Sequence, residues 1–444
     1  MTNDLPSRLR VAHVVTTPGA YYCENCVRDN ALVVALRRLG HDVFLVPMYL
    51  PLPDEFPAAD RAAQVHFGAI ALYLREKLPF LRRLPRWLDG VLSARPLLAY
   101  AARKAGATRA AGLADLTHSI LLGESGPHAR DVERLVSWLA GRDRPDVVHL
   151  SNALFLGLAR RLKSALGVAV VCSLHDEDKW VDAMPPAAAA RVWRTLAERA
   201  AGVDAFVSVS AWYAALMGKR LGIPAGKLHV VRPGIVLEGC ARRERPAPPV
   251  LGYLSRLAES LGLGTLAEAF VLLKRGGRVP GLRLRLIGGS TGDDRRFLAG
   301  LRRRFARAGC LGDLEIVDGH ERAARLEFLR TLSVLSVPAA AGAFGTYLLE
   351  ALAVGVPVVQ PALGAFPEVL EATGGGVLYE PNTPEALAEA LAGLLTDPER
   401  QEALGAAGRQ AVFERFSMDR AAEEMLAVYE AVRARSPRDA PRIS

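Results

Sequence analysis

Apolar and polar positions fall into two long series along the chain, each a succession of short β-branched runs and longer helical periods. Residues 9–16, LRVAHVVT, form an apolar run followed by Pro18-Gly19, which predicts a buried strand and a turn. Asp29 to Leu39 has helical spacing with Gly40 as a C-cap, and DVFLVPMY supplies a second strand. This is the βαβ opening of a doubly wound parallel sheet. Strand-like runs return with DVVHL, VAVVCSL, DAFVSVS and KLHVVRPG, with helices between them. Residues 51–145 break the pattern, being rich in proline and arginine with helical stretches and no clear strand, and are read as a helical insertion. The charged, proline-rich EGCARRERPAPP at 238–249 is read as an interdomain linker. A second series follows in VLGYLS, LRLRLIGG, LEIVDG, LSVLSVPA and PVVQP, closed by the helix RAAEEMLAVYEAVRAR.

The predicted fold class is α/β, with two Rossmann-like doubly wound domains facing a cleft. The first takes residues 1–238 with the helical insertion 51–145, and the second takes 249–420. Residues 421–444 form a closing helix and tail that cross back to the first. In such sheets ligands bind beyond the carboxyl ends of the strands, so the loops there are where chemistry is expected.

Composition narrows the function classes. The chain has 444 residues, half of them hydrophobic and 23% charged, enough for two cores and too apolar for a disordered chain. No stretch approaches the ~18 consecutive apolar residues of a spanning helix. The N-terminus lacks a basic region followed by an apolar core, and five cysteines are too few for a disulfide scaffold, so a cytoplasmic protein is expected. Net charge is +9, but arginine outnumbers lysine about seven to one, a pattern of global composition. Nucleic acid is therefore not expected as a partner; anionic substrates or an anionic membrane surface are. Within the insertion, Arg75, Lys77, Arg82, Arg83 and Arg86 interleave with Leu78, Phe80, Leu81, Leu84 and Trp87. That mixture suits peripheral contact at the inner membrane face.

The segment SVPAAAGAFGTYLLEALAVGVPVVQPALGAFPEV resembles the donor-site signature of family-4-type retaining glycosyltransferases of the GT-B fold. GHDV at 40–43, SLHD at 173–176, SVS at 208–210, VVRPG at 230–234, SRL at 255–257, LIGG at 286–289 and the closing FSMDRAA with Tyr429 fall in the family order. The resemblance implies transfer of a sugar from a nucleotide-sugar donor, with retention, to a glycan, lipid-linked or small-molecule acceptor. It requires no cofactor. The alternative is a catalytically degenerate GT-B module that binds a nucleotide, glycan or protein partner.

The resemblance also assigns residues. Arg256 falls where the family places an arginine on the diphosphate, a role suited to a fork-shaped guanidinium. Ala343, Phe344, Gly345 and Thr346 enter a helix whose N-terminal N–H groups face phosphate or sugar oxygens. Glu350 matches the signature glutamate that accepts from the ribose hydroxyls, and His175 matches the histidine facing the donor sugar. Arg256, Glu350 and His175 form the expected catalytic set. Pro18 and Gly19 mark the acceptor side, where His149 is a further candidate because it closes a strand. Glu368 in GAFPEV reads as structural, at the start of a helix.

Two positions depart from the pattern. The first signature glutamate is replaced by Gly342, and Val337–Tyr347 contains no carboxylate. The diphosphate lysine is replaced by Leu261. Three explanations compete: an unusual donor whose sugar needs no such glutamate, replacement by residues from elsewhere in the cleft with the acid-rich HDED at 175–178 as the candidate, or a degenerate domain kept for binding. Cys23 and Cys26, in AYYCENCVRDN, are open to three readings: small packing residues, weak candidates for a metal site completed by Cys172 and His175, or a redox pair at a helix start. No metal is expected to be required. Asn25, Arg28 and Asn30 beside them are polar enough to read an acceptor.

Overall fold

Six parallel strands build the first sheet, in the order β2-β1-β3-β4-β5-β6. They are β1 (Arg10–Val15), β2 (Asp42–Pro47), β3 (Val147–Leu150), β4 (Ala169–Leu174), β5 (Ala205–Ser208) and β6 (Leu228–Val230). The second sheet, also parallel, runs β12-β11-β10-β7-β8-β9. Its strands are β7 (Val250–Leu254), β8 (Arg283–Ile287), β9 (Leu314–Ile316), β10 (Val334–Leu335), β11 (Val358–Pro361) and β12 (Gly376–Tyr379). The central strands are buried along their whole length, as helices on both faces of a parallel sheet require. Strand order reverses between β1 and β3 in one sheet and between β7 and β10 in the other.

This computed structural model describes residues 8–16, 22–49, 52, 110–142, 144–319 and 321–435. The chain divides into two units, residues 1–18, 25–232 and 421–444 in one and 19–24 and 233–420 in the other. Four helices matter below: α1 (Glu24–Arg38), α2 (Arg322–Arg330), α3 (Thr346–Ala353) and α4 (Met418–Arg435). From Ala421 onward, α4 belongs to the first unit. Within the expected insertion, residues 114–121 and 129–140 are helical; the basic-aromatic segment 75–87 lies outside the described residues.

Two expectations change. Helix α1 begins at Glu24, not Asp29, because ENCVRDNALVV continues the helical spacing and Glu24 places an acid in the first turn. The stretch at 238–249 is not a free linker. Arg243 is buried, donating its backbone N–H to Val354 O (2.8 Å) and its Nε to Gly355 O (3.0 Å). Those carbonyls follow the end of α3, where backbone acceptors lack helical partners. Charge and proline suggested solvent, but this arginine caps a helix.

Candidate functional site

At the switch point of the second sheet, the loop after β7 and the loop after β10 stand on adjacent strands. Arg256 follows β7. The loop carrying it is tied to the loop after β8 by Ser255 N–H to Ile287 O (3.2 Å) and Leu257 N–H to Gly289 O (2.8 Å). Gly288 makes this approach possible. It has a φ of +135°, and a Cβ there would stand 2.1 Å from Ser255 O, so any side chain is excluded. The Arg256 side chain is about a quarter exposed, with its Nε 4.0 Å from Asp294 Oδ2. Asp294 in turn accepts from Thr291 N–H (2.8 Å) and Oγ1–H (2.7 Å), a capping box that fixes it.

The loop after β10 leads into α3. Val337 N–H donates to Gln360 Oε1 (3.2 Å), anchoring its start. Gly345 is the N-cap of α3, with a φ of +95° that favours glycine, and all eight residues of α3 are buried. Ala343 and Phe344 are buried beside it, Phe344 against Phe416 with ring centroids 6.4 Å apart. The first free-valence N–H of the helix, that of Thr346, donates to Glu24 Oε1 at 2.6 Å. Glu350, one turn further on, has both oxygens held by Arg325 of α2, at 2.9 Å from Nε and 2.7 Å from Nη2. This ion pair is buried, with 1% and 9% of the side chains exposed. A carboxylate offers about four acceptor positions, so a bidentate arginine leaves capacity for ribose hydroxyls.

The departures have a structural basis. A Cβ at Gly342 would meet Phe366 Cζ at 2.8 Å, and Gly342 O accepts from Ala365 N–H (3.0 Å). The position is closed by packing. Leu261 ends a short 3-10 turn at Glu259–Leu261 and is half-buried, its carbonyl accepting from Tyr253 Oη (3.3 Å). Glu368 lies in the first turn of a helix at Phe366–Thr373.

In the first unit, β1 and β3 set His13 and His149 in register, ring centroids 4.4 Å apart. His149 is not presented to an acceptor. It is 1% exposed, its Nδ1 2.5 Å from Tyr429 Oη on α4 and its Nε2 2.8 Å from Ser173 Oγ. Burial and then the neighbouring His13 hold its pKa well below the ordinary histidine value. His175, in the loop after β4, is buried beneath Arg28, whose Nη2 lies 3.2 and 3.3 Å from the two ring nitrogens. Burial, and after it the Arg28 charge, lowers its pKa to about 3, so it is neutral at physiological pH. Arg28 also pairs with Asp29 at 2.9 Å. Burial raises the Asp29 pKa, but the charge of Arg28 and bonding to His13 outweigh it and hold the carboxyl below its usual range.

The HDED segment is occupied with its own loop. Glu177 accepts from Ala153 N–H (2.9 Å), His175 N–H (2.7 Å) and Tyr213 Oη (2.8 Å), and burial raises its pKa to about 7. Asp178 Oδ1 lies 2.9 Å from the same Tyr213 Oη, and Asp176, at a φ of +60°, pairs with Lys179 at 2.6 Å. These acids shape the His175 loop and do not replace a donor-site carboxylate. Pro18 and Gly19 lie outside the described residues.

Cys23 and Cys26 are disulfide-bonded, and the other three cysteines are free and buried. The bond takes up both sulfurs that a metal would need, which removes the metal reading. Arg325 and Glu24 were missed by the sequence reading. They lie 25 and 322 residues from their partners, and no motif marks either one.

Comparison with known proteins now bears on this arrangement. Residues 241–411 match the family described as glycosyl transferases group 1, and residues 118–238 match glycosyltransferase family 4. A D-inositol 3-phosphate glycosyltransferase of Xylanimonas cellulosilytica is 32% identical over 253 residues, 53% of this chain and 59% of that protein. A GDP-mannose-dependent α-(1-6)-phosphatidylinositol monomannoside mannosyltransferase of Mycobacterium tuberculosis is 28% identical over 72% of this chain and 84% of its own. The match spans about half the length of the D-inositol 3-phosphate glycosyltransferases. In fold, the chain is similar to a sucrose-phosphate synthase of Thermosynechococcus elongatus, with a TM-score of 0.73 at 18% identity, covering 97% of this chain and 100% of that one. With two family matches in series, the chain is similar to the family-4-type glycosyltransferases, and its likeness to solved structures gives it the GT-B fold.

Proposed function

We propose that the protein transfers a sugar from a nucleotide-sugar donor to a glycan or lipid-linked acceptor with retention of anomeric configuration. The observation that carries this reading is the convergence of Arg256, the N-terminus of α3 and the Arg325-held Glu350 around the switch point of the second sheet. In the proposed complex Glu350 accepts from the ribose hydroxyls. Arg256 and the α3 N-terminus neutralise the leaving diphosphate, so no metal is needed for its departure. The departing phosphate takes the acceptor's proton on the same face of the sugar, and neutral His175 orients the donor without attacking it.

The names of the relatives support a lipid-linked or inositol-type acceptor as the class to test first. Among the described residues no helix is long and apolar enough to cross a membrane, and we place the reaction at the cytoplasmic membrane face. The test is calorimetric titration of UDP, GDP, ADP and the matching nucleotide sugars against wild type and Glu350→Ala. Binding of one nucleotide that weakens at least tenfold in the variant supports the reading. Absence of binding by every nucleotide would sink it.

A further inference from the structure

Arg28 and Asp29 of α1, His13 of β1 and His175 in the loop after β4 all belong to the first unit and meet there. Arg28 Nη2 lies 3.2 Å from Nδ1 of His175 and 3.3 Å from its Nε2. The two nitrogens of an imidazole point away from each other in the plane of the ring. A single atom this close to both therefore sits over the face of the ring, because within the plane it would collide with a ring carbon. The same Nη2 donates to Asp29 Oδ1 at 2.9 Å, and His13 Nε2 lies 3.9 Å from that oxygen. Asp29 thus balances the guanidinium, and the pair adds no net charge beside the ring.

A guanidinium over the face leaves the in-plane directions of the two ring nitrogens untaken. Among the described residues no other group bonds either of them, although His175 is only 5% exposed. The backbone is fixed separately, by donation from His175 N–H to Glu177 Oε2 at 2.7 Å. A neutral imidazole carries one N–H and one lone pair. Buried and untaken, these are polar groups that a bound ligand would satisfy. Sugar hydroxyls, which both donate and accept, match such a pair.

The geometry points to Arg28 as the positioning residue for His175: it lies across the ring face, its charge balanced by Asp29, and holds the imidazole so that its edge meets the hydroxyls of the donor sugar. This rests on the donor role given to His175 above and adds the residue that sets it. The arrangement also governs charge. A sugar carbon becomes positive as its bond to phosphate breaks, and an imidazolium beside it would oppose that step. The groups facing His175 are Arg28 and Asp29 from α1, His13 from β1, and Asp176 and Glu177 from its own loop. Burial first and then Arg28 disfavour its protonation, while Asp29 and Asp176 act in the opposite sense.

NMR of protein carrying isotope-labelled histidine tests it, with the His175 signal assigned by its loss in His175→Asn and followed from pH 5 to pH 8. In wild type that signal should not titrate. Arg28→Met keeps the length and loses the charge, and should raise the midpoint by about 2 units, within the range for a neighbouring charge, so that titration shows near pH 5. Arg28→Lys should hold it down. Arg28→Gln, planar and uncharged, repeats the comparison if the methionine variant fails to fold. Calorimetry with GDP, UDP, GDP-mannose and UDP-glucose reads the orientation. Diphosphate affinity should stay within about twofold in every variant, while the sugar nucleotide that wild type binds should weaken about tenfold in the uncharged ones, the worth of one good hydrogen bond. A His175 signal as flat in those variants as in wild type would overturn the inference. Equal weakening of diphosphate and sugar nucleotide, or unfolding of both uncharged variants, would overturn it too and leave Arg28 a packing residue. Wild type that binds no nucleotide, with the titration still moved by Arg28→Met, would take away the donor-site reading and not the hold of Arg28 on His175.

Discussion

Arg325 grips both oxygens of Glu350 from a helix 25 residues away in sequence, with the pair almost wholly withdrawn from solvent. Breaking one side of such a pair leaves a buried charge uncompensated, at a cost of about 3–5 kcal/mol. Arg325→Leu should therefore lower unfolding stability in urea by that order. Arg325→Leu combined with Glu350→Leu should recover much of the loss while nucleotide affinity stays absent. A single variant as stable as wild type would show that the pair does not hold α2 against α3.

Glu177 gives a pH signature opposite to that of an ordinary surface acid. Its folded pKa is about 7, raised chiefly by burial, against roughly 4.3 in an unfolded chain. Between those values the folded protein holds a proton that the unfolded chain has released, so stability falls as pH rises through the window. Glu177→Gln removes the titration. Relative to wild type, the variant should gain stability from pH 5 to pH 8, by up to roughly 3 kcal/mol. Denaturant midpoints at four pH values would read this, and parallel curves for the two proteins would refute it.

The bond between His149 and Tyr429 joins β3 to α4 across 280 residues of chain. Tyr429→Phe keeps the ring and removes the hydroxyl, leaving a buried imidazole nitrogen without its partner. A loss of about 1–3 kcal/mol is expected. Nucleotide affinity should be unchanged, because Tyr429 belongs to the first unit and the candidate donor residues belong to the second. Calorimetry and thermal melting on the same preparation check both halves.

Restoring a carboxylate at position 342 should fail. The new Cβ would stand 2.8 Å from Phe366 Cζ, so Gly342→Glu must displace a buried ring, at about 1–3 kcal/mol. The variant should melt lower and show no gain in affinity for a nucleotide sugar. A stable variant that binds donor more tightly would mean that the site has room after all.

Much of the architecture was legible because it is written in local periods. The βα spacing, the strand runs and the order of short motifs all survive in the two sheets and their switch points. Arg256, Gly345, Thr346 and Glu350 were picked out instead by the resemblance of their motifs to a known family, which placed them after a readable strand and in a readable helix. What escaped depends on tertiary pairing. Nothing in the spacing of RAARLEFLR says that Arg325 turns inward to a glutamate. EGCARRERPAPP reads as a linker until Arg243 is seen capping α3. His149 sits at a strand end, as an acceptor-side residue would, but its nitrogens are claimed by Ser173 and Tyr429 from elsewhere in the chain.

The assignment of Tyr22–Glu24 to the second unit has a consequence for shuffling parts among relatives. The obvious seam for grafting one carboxy-terminal half onto another lies at Arg232–Pro233, where the chain passes between units. A chimera cut there inherits Arg256, α3 and Glu350 from one parent but keeps Tyr22 and Glu24 from the other. The bonds of Tyr22 to Gly288 and of Glu24 to Thr346 would then join residues of two different parents unless this short amino-terminal patch is moved with the transplanted half.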